Sequence, residues 1–177
     1  GEGSGGGEGS GGGEAFDAVL LTANTLFCTP RHAELLERCA GALRPGGALL
    51  FDVYNARDWH DDALADERDG GGEGEEEGEE EALVMAVDAA GREWTVYERD
   101  AEVEPHARRI RCRYDFVAAS GERATQVNEH HYALPEQLSA LLAAAGFEVE
   151  RLCGGFEGEA FDEEESEHMV YRARLVR

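Results

Sequence analysis

The sequence predicts an α/β fold: an open, partly parallel sheet with an antiparallel β insertion. Two continuous apolar runs, at 18–21 and 48–53, flank a stretch of helical periodicity. Polar residues stand where each run ends, the position at which open parallel sheets place their ligands. Further along, Ile110, Cys112, Tyr114 and Phe116 alternate strictly with Arg109, Arg111, Arg113 and Asp115, the period of a half-buried strand.

Ala18, Val19, Leu20 and Leu21 read as a strand buried on both faces. Thr29 can cap a helix and Pro30 suits its first turn, which predicts a helix over 30–43. Ala33, Leu36, Ala40 and Leu43 give that helix one apolar stripe. Pro45, Gly46 and Gly47 end it in a turn, and Ala48 to Val53 form the second buried strand. A right-handed crossover makes the two strands parallel and adjacent. The pattern alone fits a generic α/β core fragment ending in Asn24 and Asn55 equally well.

The middle of the chain reads as β-rich. Trp94 and Val96 mark a strand near 93–98, residues 109–116 a second, and residues 124–132 a third, with Val127, Glu129 and His131 on one side.

Two segments are of low complexity. Residues 1–13 repeat Gly-Glu-Gly-Ser-Gly-Gly twice and add one Gly, so residues 1–14 read as a flexible linker. Their glycines match a dinucleotide-binding spacing by chance, because no strand precedes them. Residues 61–81 hold twelve acidic residues against one Arg, about half the excess behind a net charge of −23. A segment of this kind self-repels and buries little, so an acidic insertion at 61–82 is expected to be disordered. The rest of the chain is only mildly acidic, and no nucleic-acid footprint is expected. Every Lys/Arg position is Arg. No apolar run approaches 18 residues and no signal-peptide pattern is visible, so neither a membrane span nor secretion is expected, and the expected location is cytoplasmic. Cys28, Cys39, Cys112 and Cys153 form no Cys-x-x-Cys pair and the six His show no ligand spacing, so no metal site is expected.

Taken in order, these motifs resemble the later part of a class I S-adenosylmethionine-dependent methyltransferase. Phe16-Asp17-Ala18-Val19-Leu20 is similar to that family's fourth-strand motif, and residues 43–52, Leu-Arg-Pro-Gly-Gly-Ala-Leu-Leu-Phe-Asp, to its turn and fifth strand. Pro135-Glu136-Gln137-Leu138 through Ala145-Gly146-Phe147-Glu148-Val149 resembles the following helix and sixth strand. Gly155-Phe156-Glu157-Gly158 and Phe161-Asp162-Glu163 resemble the acidic loop before the last strand, common in the small-molecule branch. The resemblance implies an incomplete Rossmann-like methyltransferase sheet, in the family's order 4-5-7-6, over residues 15–177. The family's first strand, its glycine-rich loop and the acidic residue that binds the cofactor ribose have no counterpart in this sequence. The chain is therefore read as the C-terminal portion of such a domain, needing the N-terminal half as partner.

By the same resemblance, Leu21, Thr22 and Ala23 stand beside the methionine part of S-adenosylmethionine. Asn24, Tyr54, Asn55 and Trp59 line the side of a small-molecule methyl acceptor, a nitrogen or oxygen nucleophile, and His130 or His131 joins them from the β insertion. Each has a plainer reading: Asn24 and Asn55 as strand-end caps, Tyr54 and Trp59 as packing residues, the two His as solvent-facing. No residue stands out as an obligatory base. A non-catalytic module that keeps half the sheet is the alternative function. A nicotinamide oxidoreductase lacks its fingerprint in context.

Overall fold

The computed structural model describes residues 15–69 and 82–176. Strand β1 (Phe16–Leu21) leads through a 3-10 turn (Thr25–Cys28) into helix α1 (His32–Ala42), then β2 (Leu43–Tyr54) and helix α2 (Arg57–Asp69). Four strands follow: β3 (Ala82–Val87), β4 (Glu93–Glu104), β5 (Arg109–Ala118) and β6 (Arg123–His131). Helix α3 (Pro135–Ala145) and strands β7 (Phe147–Cys153) and β8 (His168–Leu175) complete the chain.

The elements form two four-stranded sheets, in the orders β1-β2-β8-β7 and β3-β4-β5-β6. In the first, β1 and β2 are parallel, with Ala18 opposite Ala48 and Leu21 opposite Phe51. The hairpin of β7 and β8 adds antiparallel strands beyond β2. This is the 4-5-7-6 arrangement that the family resemblance implied. The second sheet is an antiparallel meander.

The principal core fills one face of the first sheet. Leu49, Phe51 and Val53 of β2 alternate inward beside Met169, Tyr171 and Ala173 of β8. Leu36 and Cys39 of α1 and Leu138 and Leu142 of α3 pack there as well. Ile110 of the second sheet joins this core and ties the two sheets together. The opposite face is sparsely covered. Leu20 is 63 % exposed and Leu50 is 37 % exposed, and the loop that carries Phe156 bounds a shallow cavity there. A parallel pair normally has both faces buried, so this apolar face is unusually bare.

Several local expectations need correction. Helix α1 starts at His32 rather than residue 30. Thr29 Oγ1 accepts only the Arg31 N–H, at 3.2 Å, and the helix has no side-chain cap. The Pro-Gly-Gly turn lies inside β2 as an irregularity: pairing jumps from Phe16–Leu43 to Ala18–Ala48. The acidic segment is not wholly irregular, because residues 61–69 belong to α2. That helix has Asp58 in its first turn and Arg68 in its last, the arrangement its dipole favours. It is also tied across the fold: His60 Nδ1 and Tyr132 Oη are hydrogen-bonded at 2.8 Å, and Glu67 meets His106 at 2.9 Å. The 1–14 linker and residues 70–81 lie outside the described residues. Strand β3, which the sequence reading omitted, makes the insertion four-stranded.

Gly47 is the tightest point of the β2 turn. A Cβ there would sit 2.9 Å from the Arg44 carbonyl oxygen and 3.2 Å from that of Asp17. Both are backbone atoms of the strand pair and cannot swing away. Gly47→Ala is therefore expected to lower unfolding free energy by about 1–3 kcal/mol, the range for overpacking. Urea denaturation checks this, and an unchanged midpoint would contradict the close approach.

Candidate functional site

The site forms where β1 and β2 end. Beyond Leu21 the chain bends through Ala23 (φ 55°) and Asn24 (φ 58°), two successive non-glycine residues in the left-handed region. Such backbone costs on the order of 1–3 kcal/mol per residue and persists only where neighbours enforce it. The enforcing group is Asp52 on β2, which is 8 % exposed. Its Oδ1 accepts the Ala23 N–H at 3.0 Å and its Oδ2 accepts that of Asn24 at 3.4 Å. Asn24 Oδ1 in turn accepts the Tyr54 N–H at 2.8 Å. The two strand ends are thus cross-linked in both directions. The 3-10 turn that follows buries Leu26 and Phe27 completely.

Tyr54 is the centre of an aromatic cluster. Its ring meets Phe27 edge-on at 5.1 Å, Trp59 at 5.3 Å and His130 at 5.7 Å. The Tyr54 hydroxyl is buried without a hydrogen-bond partner among the described residues, and burial pushes its pKa well above the ordinary phenol value. Burial also holds His130 below the usual imidazole value, with His131 adding a smaller push in the same direction.

Beside this cluster opens a cavity of about 480 Å³, lined by Tyr54, Asn55, Asp58, Trp59 and residues 164–168. Its rim is acidic, with Asp58, Glu164, Glu165 and Glu167. Asn55 fixes the rim loop. Its Nδ2 donates to the carbonyls of Glu163 and Ser166, at 2.9 and 3.0 Å, and its N–H donates to Glu167 O at 2.8 Å. Arg57, at the start of α2, pairs with Glu136 at 2.9 Å and with Glu163.

The structure therefore gathers Asn24, Tyr54, Asn55, Trp59 and His130 into one neighbourhood, with Asn24 and Asn55 holding backbone. His131 lies apart. It neighbours His130 on β6, pairs with Glu129 at 3.1 Å and lines a different cavity. Leu21, Thr22 and Ala23 run along the end of β1, and Thr22 and Ala23 are exposed. They supply one wall to which a cofactor could be held, but the Ala23 N–H is already taken by Asp52. The sequence reading assigned no role to Asp52, Asp58 or the 164–167 carboxylates. The Phe-Asp-Val step at the end of the second apolar run was the only signal for Asp52. All four Cys are free thiols, and no cluster of metal-ligating side chains occurs among the described residues. No helix among the described residues is long and apolar enough to cross a membrane.

Comparison with solved structures places this geometry. The methyltransferase CcbJ from Streptomyces caelestis superposes with a TM-score of 0.65 at 20 % identity, over 92 % of this chain and 61 % of its own. An S-adenosylmethionine-dependent methyltransferase from Clostridium acetobutylicum gives 0.64 at 12 % identity, over 91 % and 58 %. The fold is that of the S-adenosylmethionine-dependent methyltransferases. An amino pentose methyltransferase from Micromonospora echinaspora, CalS10, gives 0.53 at 19 % identity, over 92 % and 59 %. The chain thus spans about three fifths of the length of the methyltransferases it resembles. No family model and no curated protein matches the sequence.

Two outcomes follow from the site geometry. Asp52→Ala removes the acceptor for two strained amides and is expected to destabilise the chain by about 1–3 kcal/mol; a loss within 0.5 kcal/mol, about the scale of an ordinary surface substitution, would contradict the cross-link. The second concerns pH. His130 and His32 both have pKa values lowered below 6.5, chiefly by burial. A group of this kind binds its proton more readily when unfolded, so its contribution to stability is present above pH 6.5 and is lost as pH falls below it. His130→Phe, which keeps the ring stack on Tyr54, should flatten the fall in stability between neutral and mildly acidic pH. An unchanged slope in paired denaturation curves would contradict this.

Proposed function

We propose that this chain forms the acceptor side of an S-adenosylmethionine-dependent methyltransferase whose substrate is a small-molecule amine. The observation that carries the choice of amine is the cavity beside Tyr54, where Trp59 and Tyr54 present aromatic faces beneath a rim of carboxylates. Aromatic faces attract ammonium groups by about 0.5–2 kcal/mol, more when desolvated. The rim carboxylates favour positive charge at the same place. S-adenosylmethionine supplies an electrophilic methyl group, and positive charge moves onto the acceptor nitrogen as the new bond forms. The chain's own groups would stabilise that charge as it develops, an electrostatic contribution that needs no reorganisation. Asn55 and Arg57 would hold the acidic loop in register with the aromatic wall, so that the nitrogen is positioned rather than merely bound. The Asp58 and loop carboxylates would draw the cationic amine to the cavity mouth, and the nitrogen would react as its free base after losing its proton to solvent.

The cofactor would lie along Leu21, Thr22 and Ala23. We further propose that additional polypeptide of methyltransferase type covers the open edge of β1 and the bare sheet face and supplies the rest of the cofactor site. The exposure of Leu20 supports this reading, as does the fraction of the similar chains that this chain spans. The likeness to CalS10, an amino pentose methyltransferase, supports the acceptor class.

Trp59 gives a direct test. In a Trp94→Phe background it is the sole indole, and its fluorescence can be titrated with tetramethylammonium and with the neutral isostere neopentane as an aqueous dispersion. Saturable quenching by the cation alone, lost in Asp58→Asn, is expected. Equal responses to both, or to neither, would contradict an amine-binding site.

A further inference from the structure

We propose a second binding site, for a phosphate-type oxyanion, in the cavity where α1, the β4–β5 turn, the end of β6 and α3 meet. It is independent of the amine reading, because it uses none of the residues around the acceptor cavity. The cavity measures about 370 Å³, and its polar lining includes Arg31, His32, Arg108, His131 and Gln137. In a chain of net charge −23 this is a locally cationic hollow.

Arg108 is its organising residue. It is a non-glycine residue held at φ 49° in the β4–β5 turn. Its N–H donates to Pro105 O at 3.1 Å, and its own carbonyl accepts the Tyr132 N–H at 2.9 Å. Left-handed backbone at a charged residue is retained at a cost, and sites of function are where such strain concentrates. Arg108 has no carboxylate partner among the described residues, although Arg109 and Arg111 beside it are each paired to Glu104.

The neighbouring charges are balanced differently. Arg31 touches Glu34 at 3.3 Å in an exposed pair, which binds weakly and can exchange partners. His131 faces Glu129 at 3.1 Å. His32 Nε2 is buried with no hydrogen-bond partner among the described residues. A guanidinium fork without a carboxylate partner among the described residues, a second Arg in a labile pair and an imidazole nitrogen that becomes a donor on protonation suit the several acceptor oxygens of a phosphate group. Burial, and less strongly the charges of His131 and Arg108, lowers the pKa of His32 against a hydrogen bond with the His131 backbone that raises it, and an anion placed among them would oppose the charge contribution. The phosphate could be a free ion or part of an ester, and the two require separate arms of the test.

The full chain is titrated with inorganic phosphate and with phenyl phosphate, at constant ionic strength set by sodium chloride, following the C2 protons of His32 and His131 by NMR. Saturable shifts with dissociation near ~1 mM, about 4 kcal/mol of binding free energy, and an upward move in the titration of His32, are expected for phosphate. Tighter binding of phenyl phosphate would identify an ester as the ligand, and equal or weaker binding the free ion. Arg108→Gly is the decisive variant, because it relieves the backbone strain while removing the cation. It should fold at least as well as the parent and bind phosphate at least tenfold more weakly. Arg108→Lys should fall between them. Shifts that sodium chloride alone reproduces, or an affinity unchanged in Arg108→Gly, would overturn the proposal.

Discussion

The Asp52 carboxylate is the constraint on which the rest of the site depends. It is the one buried acidic side chain among the described residues, and it holds the chain leaving β1 in a conformation that Ala23 and Asn24 would not adopt unaided. That bend directs the chain into the 3-10 turn and buries Phe27, and Phe27 supports the Tyr54 ring. Asn24 returns the contact by binding the Tyr54 amide. A single carboxylate on the second strand therefore sets the wall proposed for the cofactor and the aromatic wall proposed for the acceptor. This coupling explains why both walls are well defined although the sheet is covered on one side only.

The one-sided sheet has its own consequence. Stability rests on the face packed by α1, α3 and Ile110, while Leu20 and Leu50 on the other face remain in contact with water. An apolar face beside an open strand edge is a surface prone to self-association. The second sheet handles its surface differently. On one face of β5, Arg109, Arg111 and Arg113 are each paired with acidic residues, so the charged ladder stays in solvent and the apolar alternate positions turn toward the core. Strand β3 departs from that pattern, with Leu83, Val84, Met85 and Val87 all more than half exposed.

Much of this architecture was legible in the sequence. The βαβ unit and the strand at 109–116 follow from apolar runs and alternation, whereas the 4-5-7-6 strand order and the last strand were implied by the family resemblance. Strand β3 is also a continuous apolar run, at 82–87, and the exposure of Leu83, Val84, Met85 and Val87 shows that such a run can mark a strand without marking burial. The helical part of the acidic segment was missed because its supports are distant: His60 to Tyr132 and Glu67 to His106 span 72 and 39 residues. Tyr54, Trp59 and Asn24 were identified through family resemblance, and the structure brings them together. The separation of His130 from His131 depends on how the second sheet docks, which alternation alone leaves open. Asp52 looked like any strand-end acid, since its two partners lie 29 and 28 residues upstream.

Residue-resolved amide hydrogen exchange on the intact chain tests the central account most directly. The account predicts that the amides of Ala23 and Tyr54 exchange slowly, because one is bound by the buried Asp52 carboxylate and the other by Asn24. The outward-pointing amides of β1 should exchange quickly in the same experiment, as an uncovered edge requires. Fast exchange at Ala23 and Tyr54, or slow exchange along the outer edge of β1, would contradict a site locked by Asp52 on a sheet open at one side.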